Sequence, residues 1–215
     1  ENCYFVRTSA DEKRIEEVFG EVSYVTAEGV SGETGFVTAR MSEADYEKKA
    51  AELGLPCVML SEYQQAEARE AGLVDAAMAL CAERMAEPFR APIVLLSSGE
   101  NVVTVGAESG VGGRNQEYCT AAAVTIAGSR RIVFGAVDTD GTDGPGGFRY
   151  PGAPGCLAGA ITDGETAQAA KQAGIDLEAA LRTHGKSEPL WRLGCGVAAA
   201  ANVSALDLRV ILIQE

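Results

Sequence analysis

Two spacings of apolar residues share this chain, one helical and one alternating. Asp11 to Phe19 is charged at helical spacing, and Val22 to Thr26 is a short β-type run. Ser42 is placed to cap a helix with Glu43 and Asp45 in its first turn, running to about Leu53-Gly54, a normal stop. Pro56 to Leu60 reads as a buried strand. Alanine-rich Ala66 to Ala86 reads as a long helix, which Gly72 weakens by up to ~1 kcal/mol. After Arg90-Ala91-Pro92, Ile93 to Leu96 and Val102 to Val105 read as strands joined by the turn residues Ser98 to Asn101. Gly112-Gly113 opens a helix to about Ala127, and Arg131 to Val137 is a strongly apolar strand. Helices follow at Gly164 to Ala173 and Asp176 to Arg182, then a strand at Leu206 to Ile213. Strands alternating with helices predict a layered α/β/α fold with a mixed sheet. The best internal boundary divides residues 1–90 from 91–215.

Charge and composition narrow the function classes. A net charge of −13 over 215 residues argues against nucleic acid or anionic membrane as a partner, since both require a basic surface. No apolar run approaches the ~20 residues that span a bilayer, and the N-terminus has no signal-peptide layout. Six scattered cysteines and a single histidine make a zinc site improbable and fit a reduced, cytoplasmic protein. The opening E-N-C-Y-F-V bears an imperfect likeness to a tag-protease site, so residues 1–6 stay outside the functional reading.

Candidate chemistry lies in two stretches. V-D-T-D-G-T-D-G-P-G-G (Val137 to Gly147) follows the apolar strand, where α/β sheets place ligands. It is no EF-hand: counted from Asp138, position 6 is Asp143 instead of glycine and position 12 is Arg149 instead of glutamate. If the strand runs on through Asp140, Asp138 and Asp140 share one face, and Gly141 and Gly144 let the chain fold back to bring Asp143 near. Mg²⁺ needs only one or two such carboxylates. A magnesium or phosphate site and a solvated turn with capping aspartates both remain open here. The second stretch is G-V-G-G-R-N-Q-E-Y (Gly110 to Tyr118). Gly112 and Gly113 at a helix start expose N–H groups to an anion. Arg114 offers a fork for carboxylate or phosphate. Asn115 and Gln116 can hydrogen-bond hydroxyls, and Glu117 can act as base, metal ligand or capping acid. A tight turn before a solvated first turn is the alternative.

Nucleotide fingerprints mostly fail. No P-loop occurs, and Gly194 to Ala199 satisfies G-x-G-x-x-A with too little chain after it for the rest of a dinucleotide fold. His184, in the T-H-G-K-S turn, reads as a surface or capping residue, and no G-x-S-x-G elbow supports a catalytic triad.

Together the motifs resemble the C-terminal part of the type-2 glycerate kinase family, the MOFRL domain. The resemblance rests on S-G-E (Ser98 to Glu100), G-G-R-N-Q-E (Gly112 to Glu117) and T-D-G-T-D-G-P (Thr139 to Pro145). It continues through A-G-A-I-T-D-G-E-T (Ala158 to Thr166), L-W-R-L-G and the D-L-R-V strand. A fainter match over Glu43 to Gly72 makes residues 1–90 resemble the tail of that family's Rossmann-like N-terminal domain. The resemblance implies ATP- and Mg²⁺-dependent phosphorylation of glycerate, an activity also carried under the label hydroxypyruvate reductase. It implies Arg114 as the residue holding substrate carboxylate or transferred phosphoryl, assigned a catalytic role with Asp140. Ser98, Glu100, Gly112, Gly113, Asn115, Gln116 and Glu117 would line the substrate and phosphate cleft, and Asp140 and Asp143 would organise Mg²⁺ or the loop around it. Members are longer, and their N-terminal half supplies a lysine expected to act in catalysis. Activity is therefore expected with a complementary N-terminal domain, with a homodimer as the other partner considered. Cys156 and Cys195 stand where members commonly carry acids, Gly146 to Gly155 resembles an insertion, and Asp138 occupies a position commonly not acidic. Two other readings stay open: a non-catalytic binding or assembly module, and a reductase.

Overall fold

The computed structural model describes residues 4–7, 22–25, 34–39, 50–107, 110–199 and 206–215, the first three segments as backbone. These three segments are strands β1 (Tyr4–Arg7), β2 (Val22–Val25) and β3 (Thr34–Ala39), paired antiparallel in the order β1-β3-β2. The helix expected over Asp11 to Phe19 and the Ser42 cap lie outside the described residues. The stop at Gly54 is seen: its φ of 69° lets Leu55 N–H turn back to the Ala50 carbonyl.

A six-stranded mixed sheet carries the rest, in the order β4-β5-β9-β6-β7-β8. Its strands are β4 (Cys57–Ser61), β5 (Ile93–Gly99), β6 (Ile132–Asp138), β7 (Gly159–Asp163), β8 (Gly196–Val197) and β9 (Asp207–Ile213). β4 and β5 are parallel, and the other pairs antiparallel. The helices are α1 (Ala68–Met85), α2 (Arg114–Thr125), α3 (Thr166–Gln172), α4 (Leu177–Arg182) and α5 (Ser187–Arg192). The mixed α/β sheet expected from the pattern is present. Residue 90 falls between α1 and β5, while β4 and β5 on either side of it are joined by backbone hydrogen bonds.

The core lies where α1 and α2 cover one face of this sheet. Ile132, Phe134 and Ala136 of β6 and Ile211 and Ile213 of β9 share this core with Tyr118 and Ala122 of α2, Ile126 just after it and the alanines of α1. Gly72 explains itself here. A Cβ on it would lie 2.5 Å from the Tyr118 carbonyl oxygen, so the residue that weakens α1 alone permits the α1–α2 contact.

Two expectations are corrected. β5 runs on to Gly99, and Val102 makes only an isolated bridge to Glu67, so residues 102–105 form no strand. β6 ends at Asp138 and the chain turns at once, with Gly141 N–H bonded to the Asp138 carbonyl; Asp140 therefore lies in the turn and does not share a strand face with Asp138. β7 and α5 were not read from the sequence. β7 carries only five residues, two of them Gly159 and Asp163, and α5 contains Pro189.

Candidate active site at the carboxyl end of the sheet

Strand periodicity builds this site. Ile132, Phe134 and Ala136 face the helices, so Asp138 two residues on faces them too. In β9 the same rule aligns Asp207 and Arg209 with Ile211 and Ile213. Because β9 is antiparallel to both neighbours, its start meets their ends: Asp207 pairs with Gly99 of β5 and with Asp138 of β6. Two carboxylates thus reach the first turn of α2 from the core-facing row.

Arg114, the first residue of α2, answers them. Its Nε donates to Asp207 Oδ2 at 2.7 Å and its Nη2 to Asp207 Oδ1 at 3.0 Å. Nη2 also donates to Asp138 Oδ2 at 2.7 Å, and Glu100 Oε1 stands 3.4 Å away. Burial alone would lower the arginine's pKa, but the bonds and charges of Asp207, Asp138 and Glu100 outweigh it and raise it. Asp138 is held up to about 6, first by burial and then by the neighbouring Asp207 and Asp140, against the opposing Asp140 N–H and Arg114.

The N-terminus of α2 does bind an anion, and that anion is Asp143. Its Oδ1 accepts from Asn115 N (3.0 Å) and Nδ2 (3.2 Å), and its Oδ2 from Gln116 N (2.8 Å) and Nε2 (3.0 Å). Asp143 is 1 % exposed, and burial raises its pKa against these donors. The fold-back glycines act as expected: Gly141 and Gly144 have φ of 90° and 92° and return the chain to α2. Gly112 and Gly113 admit protein instead of ligand. A Cβ on Gly113 would lie 2.2 Å from the Asp143 carbonyl oxygen, and one on Gly112 2.6 Å from Lys186 Cε. The first-turn N–H groups of Asn115 and Gln116, offered by sequence to a phosphate, are occupied by this internal cap.

Residues 183–187 clamp the same first turn of α2. Lys186, 1 % exposed, donates to Glu117 Oε2, which also meets His184 Nδ1 at 3.1 Å. Burial lowers the lysine's pKa, and Glu117 opposes that shift. Ser187 Oγ donates to Gln116 Oε1 at 2.7 Å. Glu117 therefore belongs to a buried ion pair with Lys186 and bonds a different set of partners from Arg114. Asn115 bridges the two aspartates, giving Nδ2 to Asp207 Oδ1 at 2.9 Å as well as to Asp143.

Asp140 is the open acid of the stretch. Its Oδ1 accepts from Thr142 N and Oγ1 at 2.7 and 2.8 Å, and its Oδ2 makes no bond among the described residues. Ser98 lies at the end of β5, where its carbonyl accepts from Gln64 N–H, and Glu100 is half-exposed beside Arg114. Among the described residues no three acids, histidines or cysteines are grouped to cage a metal. A surface depression of about 440 Å³ among α2, α3 and α4 is lined by Val124, Ala170, Ile175 and Leu177, apart from this chemistry.

Sequence reasoning passed over Asp207, Lys186 and Arg209. Charged residues in the core-facing row of an apolar strand, as in D-L-R-V-I-L-I, were the available signal for two of them.

Comparison with known proteins fits this arrangement. The MOFRL family model matches residues 93–201, over half of the chain. The chain belongs to the MOFRL family. It is 33 % identical over 147 residues to a glycerate 2-kinase of Pyrococcus horikoshii, covering 68 % of this chain and 31 % of that protein. It is 33 % identical over 199 residues to a putative hydroxypyruvate reductase of Agrobacterium vitis, covering 92 % and 41 %. A crystal structure of glycerate kinase from Thermotoga maritima superposes with a TM-score of 0.72 at 30 % identity, covering 79 % of this chain and 39 % of that one. The chain spans less than half the length of the curated relatives it matches.

Proposed function

We propose that this chain carries the C-terminal side of a glycerate kinase site and takes part in phosphoryl transfer from ATP to glycerate. The observation that carries the reading is Arg114, fixed where β5 and β6 end and 27 % exposed, in a member of a family whose relatives include glycerate 2-kinases. The transfer breaks the glycerate O–H bond and the bridging P–O bond to ADP, forms a bond from the hydroxyl oxygen to the γ-phosphorus, and releases the proton to water. It needs mainly positioning and an offset for charge on the phosphoryl oxygens. Arg114 supplies that charge. The N-terminal part and its lysine, which the family resemblance implies, would complete the site.

The donor set decides how Mg²⁺ enters this reading. Asp143 spends both oxygens on α2, so it cannot also hold a cation without giving up the helix cap. Asp140, with a free oxygen, and half-exposed Glu100 suit a cation that arrives with phosphates and keeps most of its water. Such a cation would neutralise phosphate charge next to a cluster in which Glu100, Asp138, Asp140 and Asp207 outnumber Arg114 and Arg209.

A binding or assembly module is the second reading, favoured by one feature: Asp143 already fills the anion position of α2. Calorimetry with Mg-ATP and with glycerate separates the two. Binding of both, and ADP release that requires glycerate once an N-terminal domain is supplied, supports the kinase. Arg114→Ala should then abolish turnover, and full turnover in that variant would overturn the role given to Arg114. NADH oxidation with hydroxypyruvate would instead favour a reductase.

A further inference from the structure

An arginine guanidinium has five N–H donors, one on Nε and two on each terminal nitrogen. It grips a carboxylate or phosphate in a fork only where two nitrogens of one edge are free together. At Arg114 both such edges are spent. Nε and Nη2 close on the two oxygens of Asp207. Nη2 also donates to Asp138 Oδ2 at 2.7 Å, with Glu100 Oε1 at 3.4 Å. Nη1 makes no bond among the described residues, and the side chain is 27 % exposed.

Asp207 is rigidly placed for this task. Its side chain is fully buried, it is in register with Gly99 and Asp138, and it also accepts from Asn115 Nδ2 at 2.9 Å and Arg209 Nη1 at 3.4 Å. Arg209 is itself fully buried, its guanidinium carbon 5.9 Å from the centre of the Tyr118 ring, so it cannot take over a surface ligand.

We propose that Asp207 is the positioning residue of this site and sets the specificity of Arg114. By occupying the fork it leaves Nη1 as a one-nitrogen donor for a single phosphoryl oxygen and withholds Arg114 from the glycerate carboxylate. The inference rests on the phosphoryl-transfer reading above, and within that reading it decides which part of the substrates Arg114 meets. The carboxylate must then be read by another group.

The test uses the full chain, calorimetry with Mg-ATP and with glycerate in separate titrations, and the ¹⁵N resonance of Arg114 Nε–H. Asp207→Asn replaces one oxygen with an NH₂ that cannot accept, which opens the fork. Glycerate affinity should rise at least tenfold relative to Mg-ATP affinity, and the Nε–H should lose its protection from solvent exchange. Equal losses for both ligands, the mark of a merely structural role, would overturn the proposal, as would a loss for glycerate alone. If Asp207→Asn does not fold, Asp138→Asn removes the nearer acceptor beside the Nη1–Nη2 edge and leaves only Glu100 at 3.4 Å, and glycerate should bind at least threefold tighter; unchanged or weaker binding overturns the proposal. A wild-type chain that binds neither ligand even with an N-terminal domain supplied, yet keeps a protected Arg114 Nε–H, removes the phosphoryl-transfer reading and the specificity claim together, while leaving the Asp207 hold on Arg114 standing.

Discussion

Replacing Asp143 with alanine separates a structural cap from a cation ligand. The carboxylate accepts four bonds, two from backbone N–H groups of Asn115 and Gln116 that have no partner within the helix. The two side-chain donors keep other acceptors, Asp207 for Asn115 and the residue-143 carbonyl for Gln116. The loss thus falls on two buried backbone N–H groups at a position 1 % exposed. Orphaning a buried donor costs about 1–3 kcal/mol, and loss of an ordinary cap about 1 kcal/mol. Relief from burying a carboxylate, the cause of its raised pKa, offsets part of that. The net expectation is about 3 kcal/mol, a shift of roughly 1–1.5 M in the urea midpoint for an m-value of ~2–3 kcal/mol/M. Trp191, the single tryptophan, and far-ultraviolet circular dichroism follow the transition. The shift should be the same in Mg²⁺ and in EDTA. A shift under ~0.3 M, or one seen only with Mg²⁺ present, would refute the capping argument and return Asp143 to the cation.

Three further outcomes follow from the same geometry. Lys186→Met strands a buried Glu117 and should cost about 3–5 kcal/mol in denaturant, most of it recovered in the Glu117→Gln/Lys186→Met pair; no recovery would mean that the ion pair is not the source. Asp138 has its folded pKa raised to about 6 from 3.8, so its favourable contribution is complete below about pH 4 and is lost as pH rises towards 6. Relative to Asp138→Asn, the wild type in EDTA should therefore gain up to about 3 kcal/mol between pH 7 and pH 4, and parallel pH profiles would refute the shift. Gly72→Ala adds helix propensity worth up to ~1 kcal/mol yet should lower the melting temperature, because its Cβ meets the Tyr118 carbonyl at 2.5 Å; a stabilised variant would show that α1 and α2 can separate freely.

Elements with a strong period were legible from the residues. The apolar runs of β4, β6 and β9 and the alanine-rich α1 and α2 are set by burial, which periodicity reports directly. β7 and α5 were hidden because each is short and holds residues that read as turns, Gly159 with Asp163 and Pro189. Their structure comes from neighbours: β7 is paired along β6, and α5 follows the clamp on Glu117. Val102 to Val105 misled for the opposite reason. The β pattern is there, but Val102 only bridges Glu67 and its side chain stays exposed.

The candidate site was legible in its parts and not in its pairings. G-G-R-N announced an anion at a helix start, and one is bound there, but the same residues serve an anion that diffuses in or one carried by the chain. What distinguishes the two is the approach path. Gly113 faces the Asp143 carbonyl so closely that a ligand oxygen could enter only if Asp143 left. T-D-G carried that information in a form that needs three dimensions: the turn glycines Gly141 and Gly144 aim Asp143 back at α2, while Asp140 stays outside with one oxygen open. Asp138 and Asp207 were harder still, since each becomes a ligand of Arg114 only through the register of β6 with β9. That register links the fold to the chemistry. A one-residue slip of β9 would turn Asp207 and Arg209 to the other face of the sheet, release the Nε–Nη2 edge of Arg114 and leave Asp138 as its main anionic partner.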